Sequence, residues 1–318
     1  MTWHPDLARI IEAVQDAPSI FDHRPWEVRL AADSPDRVEL YASANQAPDA
    51  AVRSPREIAI SCGAAVYNLR LALRVAGREP SVWLLPGLDA ASPLLDHLSN
   101  SRVLVASVEV MADRIDPPTA GVQELYEAMW LRHTNPGQFA PLEVPVPLLV
   151  EMEEAAAAEH GWLRILHPKE EKAILRATTR RGELATRNMQ LMALSTDDDR
   201  PLDWLRAGQA LQHALLTGTR YSMSSGGGRS DRYRSSLKYH LSDFHPLNPP
   251  QRVPAGYGVS ATFLTQSLER EDQQQIPRRW PWPTFYSEVP QVVLRVGYAP
   301  VERIPAPPLI GTQSADTE

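Results

Sequence analysis

The chain of 318 residues contains a single cysteine, Cys62. One thiol excludes an intramolecular disulfide framework and any metal site built from several cysteines. Positive charge is not in excess: 32 Lys and Arg stand against 39 Asp and Glu, a formal net charge of −7. The global basic footprint of a nucleic-acid-binding protein is therefore missing. No apolar run approaches the roughly 18 residues that span a membrane. The opening Met1-Thr2-Trp3-His4-Pro5-Asp6 lacks the basic-then-apolar order of a secretion signal. These absences lead to the expectation of a cytoplasmic, reducing environment, with neither nucleic acid nor membrane as partner.

What is present fits a globular protein. Hydrophobic residues make up 43% and charged residues 22%, enough for one or two packed cores at this length. The periodicity predicts helices over 7–16, 54–77, 123–132, 148–160, 170–187 and 203–219. It predicts strands over 27–30, 38–41, 82–85, 103–110, 189–195 and 292–296. The best-marked helix start is Ser54-Pro55-Arg56-Glu57, with Ser54 as N-cap, Pro55 in the first turn and Glu57 closing a capping box. That helix is apolar on most sides and stops naturally at Gly77, as a buried central helix would.

The segment Ala17-Pro18-Ser19-Ile20-Phe21-Asp22-His23-Arg24-Pro25-Trp26 joins the first helix to the first strand. Pro18 fixes its own φ and turns Ala17 away from helix, so the chain must bend there. Ser19 has a hydroxyl for a ligand or for local backbone, Pro25 keeps the exit extended, and Trp26 is a large apolar anchor. Read from spacing alone, this is a helix-to-strand turn with a buried Trp.

The order of elements repeats weakly. Cys62-Gly63-Ala64-Ala65-Val66 lies on the apolar helix of the first half, and Ala207-Gly208-Gln209-Ala210-Leu211 on that of the second. Two buried helices that approach closely would both need Gly and Ala. A duplicated α+β unit also explains the parallel order.

The segment at 17–26 resembles the start of the nitroreductase superfamily, in particular its Acg-type members. Their loop reads Ala-Pro-Ser, a variable residue, then His-Asn-Thr-Gln-Pro-Trp. Ala17, Pro18, Ser19, Pro25 and Trp26 match, whereas Asp22 replaces Asn and Arg24 replaces Gln. Ile60-Ser61-Cys62-Gly63-Ala64-Ala65, the run from Asp203 to Gln212, and Pro290-Gln291-Val292-Val293-Leu294-Arg295-Val296-Gly297-Tyr298 resemble further family segments in the same order. The resemblance implies an α+β, nitroreductase-like fold. Two tandem repeats, 1–120 and 121–318, would form a pseudo-dimer in one chain. A monomer would then suffice, without excluding a homo-oligomer.

The resemblance also implies an FMN cofactor, with NAD(P)H as electron donor and a small organic substrate. Cofactor contacts would come from Ser19, Asp22, Arg24, Arg132, Thr134, Thr265 and Gln266. The family's Arg-rich segment corresponds here to Arg132-His133-Thr134-Asn135-Pro136-Gly137-Gln138-Phe139, in which His133 replaces one Arg and Pro136 and Gly137 replace a later pair. Pro305-Ala306-Pro307-Pro308 stands where two further arginines are expected. Losing two phosphate contacts would weaken binding by about 3–6 kcal/mol. An alternative is a flavin-free descendant that binds or tailors another small molecule by non-redox chemistry, with Asp22 and His133 as acid–base candidates. A flavin-sequestering protein is a third.

An extra stretch over 221–256 interrupts the second repeat. It carries Gly226-Gly227-Gly228 and several Arg, Tyr and His residues. The Gly triplet has no following Lys-Ser/Thr pair and is no phosphate loop. His240 and His245 lack a nearby carboxylate cluster, so no metal site is expected. A solvated loop, a lid and a partner-binding segment are all consistent with this composition.

Overall fold

A computed structural model describes residues 4–19, 24–43, 55–88, 102–113, 118–132, 134–135, 139–166, 168, 171, 189–225, 257–263 and 289–300. Helix α1 (His4–Gln15) leads to strands β1 (Trp26–Ala31) and β2 (Ser34–Ala42). Helix α2 (Pro55–Val75) follows, then β3 (Arg78–Leu84) and β4 (Val103–Asp113). Helices α3 (Ala120–Leu131) and α4 (Val146–Ala157) precede β5 (Trp162–Ile165) and β6 (Gln190–Thr196). Helix α5 (Pro201–Ser225) and strands β7 (Tyr257–Phe263) and β8 (Val289–Pro300) complete the described elements. The fold is α+β.

The strands form two antiparallel four-stranded sheets, ordered β1-β2-β4-β3 and β5-β6-β8-β7. In each sheet the second and third strands are central. Of these, β4, β6 and β8 carry the apolar runs, and β6 from Leu191 onwards and β8 from Pro290 to Ala299 are buried throughout. Edge strand β3 is more polar and tolerates Pro80, which cannot donate to a ladder.

Two cores lie between these sheets and the long helices. One gathers α1, the first sheet, α2 and α3. The other gathers α4, α5 and the second sheet. The cores interlock through exchanged residues. Ile60 of α2 packs in the second core, and Leu205 of α5 packs in the first.

Helices α2 and α5 cross without side chains between them. A Cβ on Gly63 would lie 2.1 Å from the carbonyl oxygen of Leu205, and one on Gly208 would lie 2.0 Å from that of Ile60. Only glycine allows backbones this close. Beyond the crossing, the Gln212 amide donates to Asn68 Oδ1 at 2.7 Å, and the Asn68 amide donates to the Ala13 carbonyl at 2.8 Å. On the other side, the rings of Tyr67 and His213 stack at 4.9 Å. Asn68 and Tyr67 hold the same places after Gly63 as His213 and Gln212 hold after Gly208.

Several boundaries differ from expectation for local reasons. Gly77 adopts φ 75° and closes α2 after Val75, as a C-terminal glycine does. Strand β3 begins at Arg78, where polar residues hide an edge strand from periodicity. Strand β5 is only four residues long, too short for a clear alternation. Helix α5 runs on to Ser225, so the extra stretch begins as the last turn of that helix. Contrary to expectation, α2 is long and apolar enough to cross a membrane. Its apolar window is 89% buried inside the protein, so that composition serves core packing. The predicted Ser54 N-cap and nearly all of the 170–187 helix lie outside the described residues.

Candidate functional site

The turn after α1 is fixed at both ends. At its start, the Asp16 and Ala17 amides donate back to helix carbonyls, Glu12 at 3.1 Å and Val14 at 3.3 Å. At its exit, the Pro25 carbonyl accepts from the Ser43 amide at 3.0 Å and from the Cys62 thiol at 3.7 Å. Trp26 is only 2% exposed and anchors the strand that follows. Cys62 is fully buried, and burial pushes its thiol well above the ordinary range. It therefore serves packing and is no nucleophile.

Three charged side chains interact at this turn, Asp16 and Arg24 from the turn itself and Arg132 from a distant part of the sequence. Arg24 is exposed and its Nε donates to the Gln15 carbonyl, covering the C-terminal end of α1. Arg132 caps α3, its amide donating to Ala128 at 3.0 Å. The side chain of Arg132 is half-buried, and its Nε is closed to solvent without a hydrogen-bond partner among the described residues. Asp16 lies within the field of both guanidiniums. Burial pushes the Asp16 carboxyl up from 3.8 to about 6; Arg132 and Arg24 oppose the shift, and Glu12 adds to it. Burial likewise lowers the pKa of Arg132, with Asp16 opposing.

Ser19 is half-buried and sits three residues beyond Asp16, while Thr134 is exposed. The structure thus brings Arg24 and Arg132 into the electrostatic reach of one carboxylate, that of Asp16. Asp22, His133, Thr265 and Gln266 lie outside the described residues, as do His240 and His245. Among the described residues, no group of three or more His, Cys, Asp and Glu side chains would hold a metal ion.

Asp16 was not singled out from the sequence. Its signal is legible afterwards: a carboxylate at a helix C-terminus opposes the helix dipole and needs cations nearby.

The segment after Arg132 is held against β8. The Arg295 Nη2 donates to the Asn135 carbonyl at 2.9 Å, and the guanidinium lies 5.3 Å from the centre of the Phe139 ring. The Ala140 amide donates to the Tyr298 carbonyl at 2.7 Å. Phe139 packs over Gly297, where an added Cβ would lie 2.6 Å from the ring.

A second polar cluster joins α2, α5 and the turn after α4. Arg70 pairs with Glu159 at 2.5 Å and donates to Gln209 at 2.8 Å. Glu159 also lies 3.7 Å from His213 Nδ1. Burial works to raise the Glu159 carboxyl, but the nearby His213 imidazole and the charge of Arg70 prevail and hold it below its usual range.

Fold and site define an α+β protein with two guanidiniums converging on the Asp16 carboxylate at a helix end. No family model matches the chain, and no curated protein matches it. A solved structure from Anabaena variabilis, named a "putative nitroreductase", aligns at 10% identity and a TM-score of 0.46. The alignment covers 82% of this chain and 69% of that one. A likeness this distant assigns no function.

Proposed function

We propose that the chain is a nitroreductase-type oxidoreductase with a modified FMN site, acting on a small organic molecule. The convergence of Arg24 and Arg132 on Asp16 carries this reading. Two guanidiniums, one with a buried Nε that has no hydrogen-bond partner among the described residues, suit a phosphate group. Their two charges face the carboxylates of Asp16 and Glu12, and protonation of Asp16 makes the cluster more cationic. The residues therefore fit the phosphate end of FMN.

In this reading Arg132 and Arg24 hold the phosphate, and Ser19 adds a hydroxyl donor. Asp22, Thr134, Thr265 and Gln266 complete the contacts that the family resemblance implies. A bound flavin supplies the redox chemistry, with NAD(P)H as donor, while the protein binds and orients it. We further propose that the fold is an internal duplication, a pseudo-dimer of 1–120 and 121–318. The equal strand orders, the exchange of Ile60 with Leu205 and the mutual contact of Gly63 with Gly208 support this. Reciprocity of this kind is what a two-fold relation produces.

One observation favours the second reading, a flavin-free descendant with Asp22 and His133 as acid–base groups. Asp16 already supplies a negative charge to the two guanidiniums and competes with a phosphate for them.

The deciding measurement is an absorption spectrum of the purified full chain, before and after addition of excess FMN. The flavin reading expects a yellow protein whose visible band bleaches on reduction by a nicotinamide. A colourless protein that takes up no FMN would overturn it.

A further inference from the structure

We propose that Arg295 is a positioning residue for the ligand site. It holds the segment behind Arg132 on β8 and thereby sets where the Arg132 guanidinium stands. This rests on the reading above, in which Arg132 holds a phosphate.

Arg295 is only 3% exposed and lies on a central strand, between β6 and β7. A buried guanidinium costs several kcal/mol in desolvation unless its surroundings compensate. Among the described residues, part of that compensation comes from the segment after α3. Its Nη2 donates to the Asn135 carbonyl, 160 residues away in sequence, and its planar face lies by Phe139. Side chains two apart on a strand share a face. Gly297 is two residues beyond Arg295, and it supplies the flat floor under the same Phe139 ring. Tyr298 then accepts the Ala140 amide. One strand therefore grips both ends of a short segment through a charged hydrogen bond, a ring and a backbone hydrogen bond.

Asn135 follows Arg132 by three residues, at most about 11 Å of chain. A shift of Asn135 is thus passed on to the α3 end that carries Arg132. Lysine would keep the charge but lose the planar fork that serves the carbonyl and the ring together. The same grip explains why a strand interior tolerates a glycine at 297, where a side chain would displace Phe139.

The test uses the full-length chain with Arg295→Met, Arg295→Lys and Phe139→Leu. Binding of FMN and of riboflavin is measured by flavin fluorescence, and amide hydrogen exchange is measured at Asn135 and Ala140. Positioning predicts that Arg295→Met weakens FMN binding about tenfold or more, while riboflavin binding changes far less. It also predicts faster exchange at Asn135 and Ala140, with the α2 amides as protected as in the wild type. Arg295→Lys recovers part of the FMN affinity. Phe139→Leu, which keeps the charge, shifts both readouts in the direction of Arg295→Met and serves if that variant does not fold. Equal losses for both flavins, or unchanged exchange at Asn135 and Ala140, would overturn the proposal. A wild type that binds neither flavin would instead remove the flavin reading, and the exchange data would still decide whether Arg295 positions the segment.

Discussion

Gly63 and Gly208 meet backbone to backbone where α2 and α5 cross, each lying against the carbonyl of a residue three positions before the other. This contact joins the two cores. It allows Ile60 and Leu205 to pack across the boundary, each in the core of the opposite sheet.

The crossing should respond sharply to one methyl group. Gly63→Ala and Gly208→Ala each place a Cβ about 2 Å from a carbonyl oxygen, and both neighbours are backbone that cannot rotate away. Overpacking of this kind costs roughly 1–3 kcal/mol or more, against about 1 kcal/mol gained in helix propensity. Each variant is expected to unfold at lower urea concentration than the wild type. The double variant should lose less than the sum, because one separation of the helices relieves both clashes.

Asp16 gives a pH dependence of opposite sign to ordinary acid denaturation. Its folded carboxyl titrates near 6, above its ordinary value of 3.8. Folding therefore favours the protonated form, and this group's contribution to stability falls as pH rises from about 4 to about 6. At most about 3 kcal/mol is involved, since one pH unit corresponds to roughly 1.4 kcal/mol. Asp16→Asn should raise the melting temperature relative to wild type more at pH 7 than at pH 4. Calorimetry at the two pH values checks this, and an equal difference at both would contradict it.

Glu159 works in the other direction. Its carboxyl is held below the usual 4.5 by His213 and Arg70 despite burial. Its stabilisation is present above that value and is lost as pH falls through the folded pKa. Glu159→Gln leaves Arg70 with a weaker partner and should cost roughly 1–3 kcal/mol at pH 7. The cost should shrink towards pH 3, which urea titrations at both pH values measure.

Gly297→Ala should push Phe139 off β8, since the new Cβ would lie 2.6–2.9 Å from three of its atoms. A loss of about 1–3 kcal/mol is expected from the clash. Phe139→Leu in the same chain should recover part of that loss, because the smaller side chain leaves room. Thermal unfolding of the single and double variants tests the compensation.

Much of the framework was legible in the sequence because its signals act over a few residues. Pro18 and Pro25 mark the bend and its extended exit through fixed φ. Gly77 closes α2 by taking a positive φ. The Gly-Ala runs around Gly63 and Gly208 announce helices that approach closely, as they do. Strand β5 and the start of β3 were hidden, since short or polar edge strands carry little period-two pattern.

The sequence by itself determined roughly where α1 to α5 lie, and that Arg24, Arg132 and Ser19 deserve notice. Tertiary structure alone decided which charges meet. Asp16 owes its raised pKa to burial, which the charges of Arg132 and Arg24 oppose, and Arg132 comes from a different helix. Arg295 finds Asn135 and Phe139 only because β8 lies beside the segment after α3. Periodicity records which face of an element is buried. It carries no record of what that face will touch, because that depends on packing between residues more than a hundred positions apart.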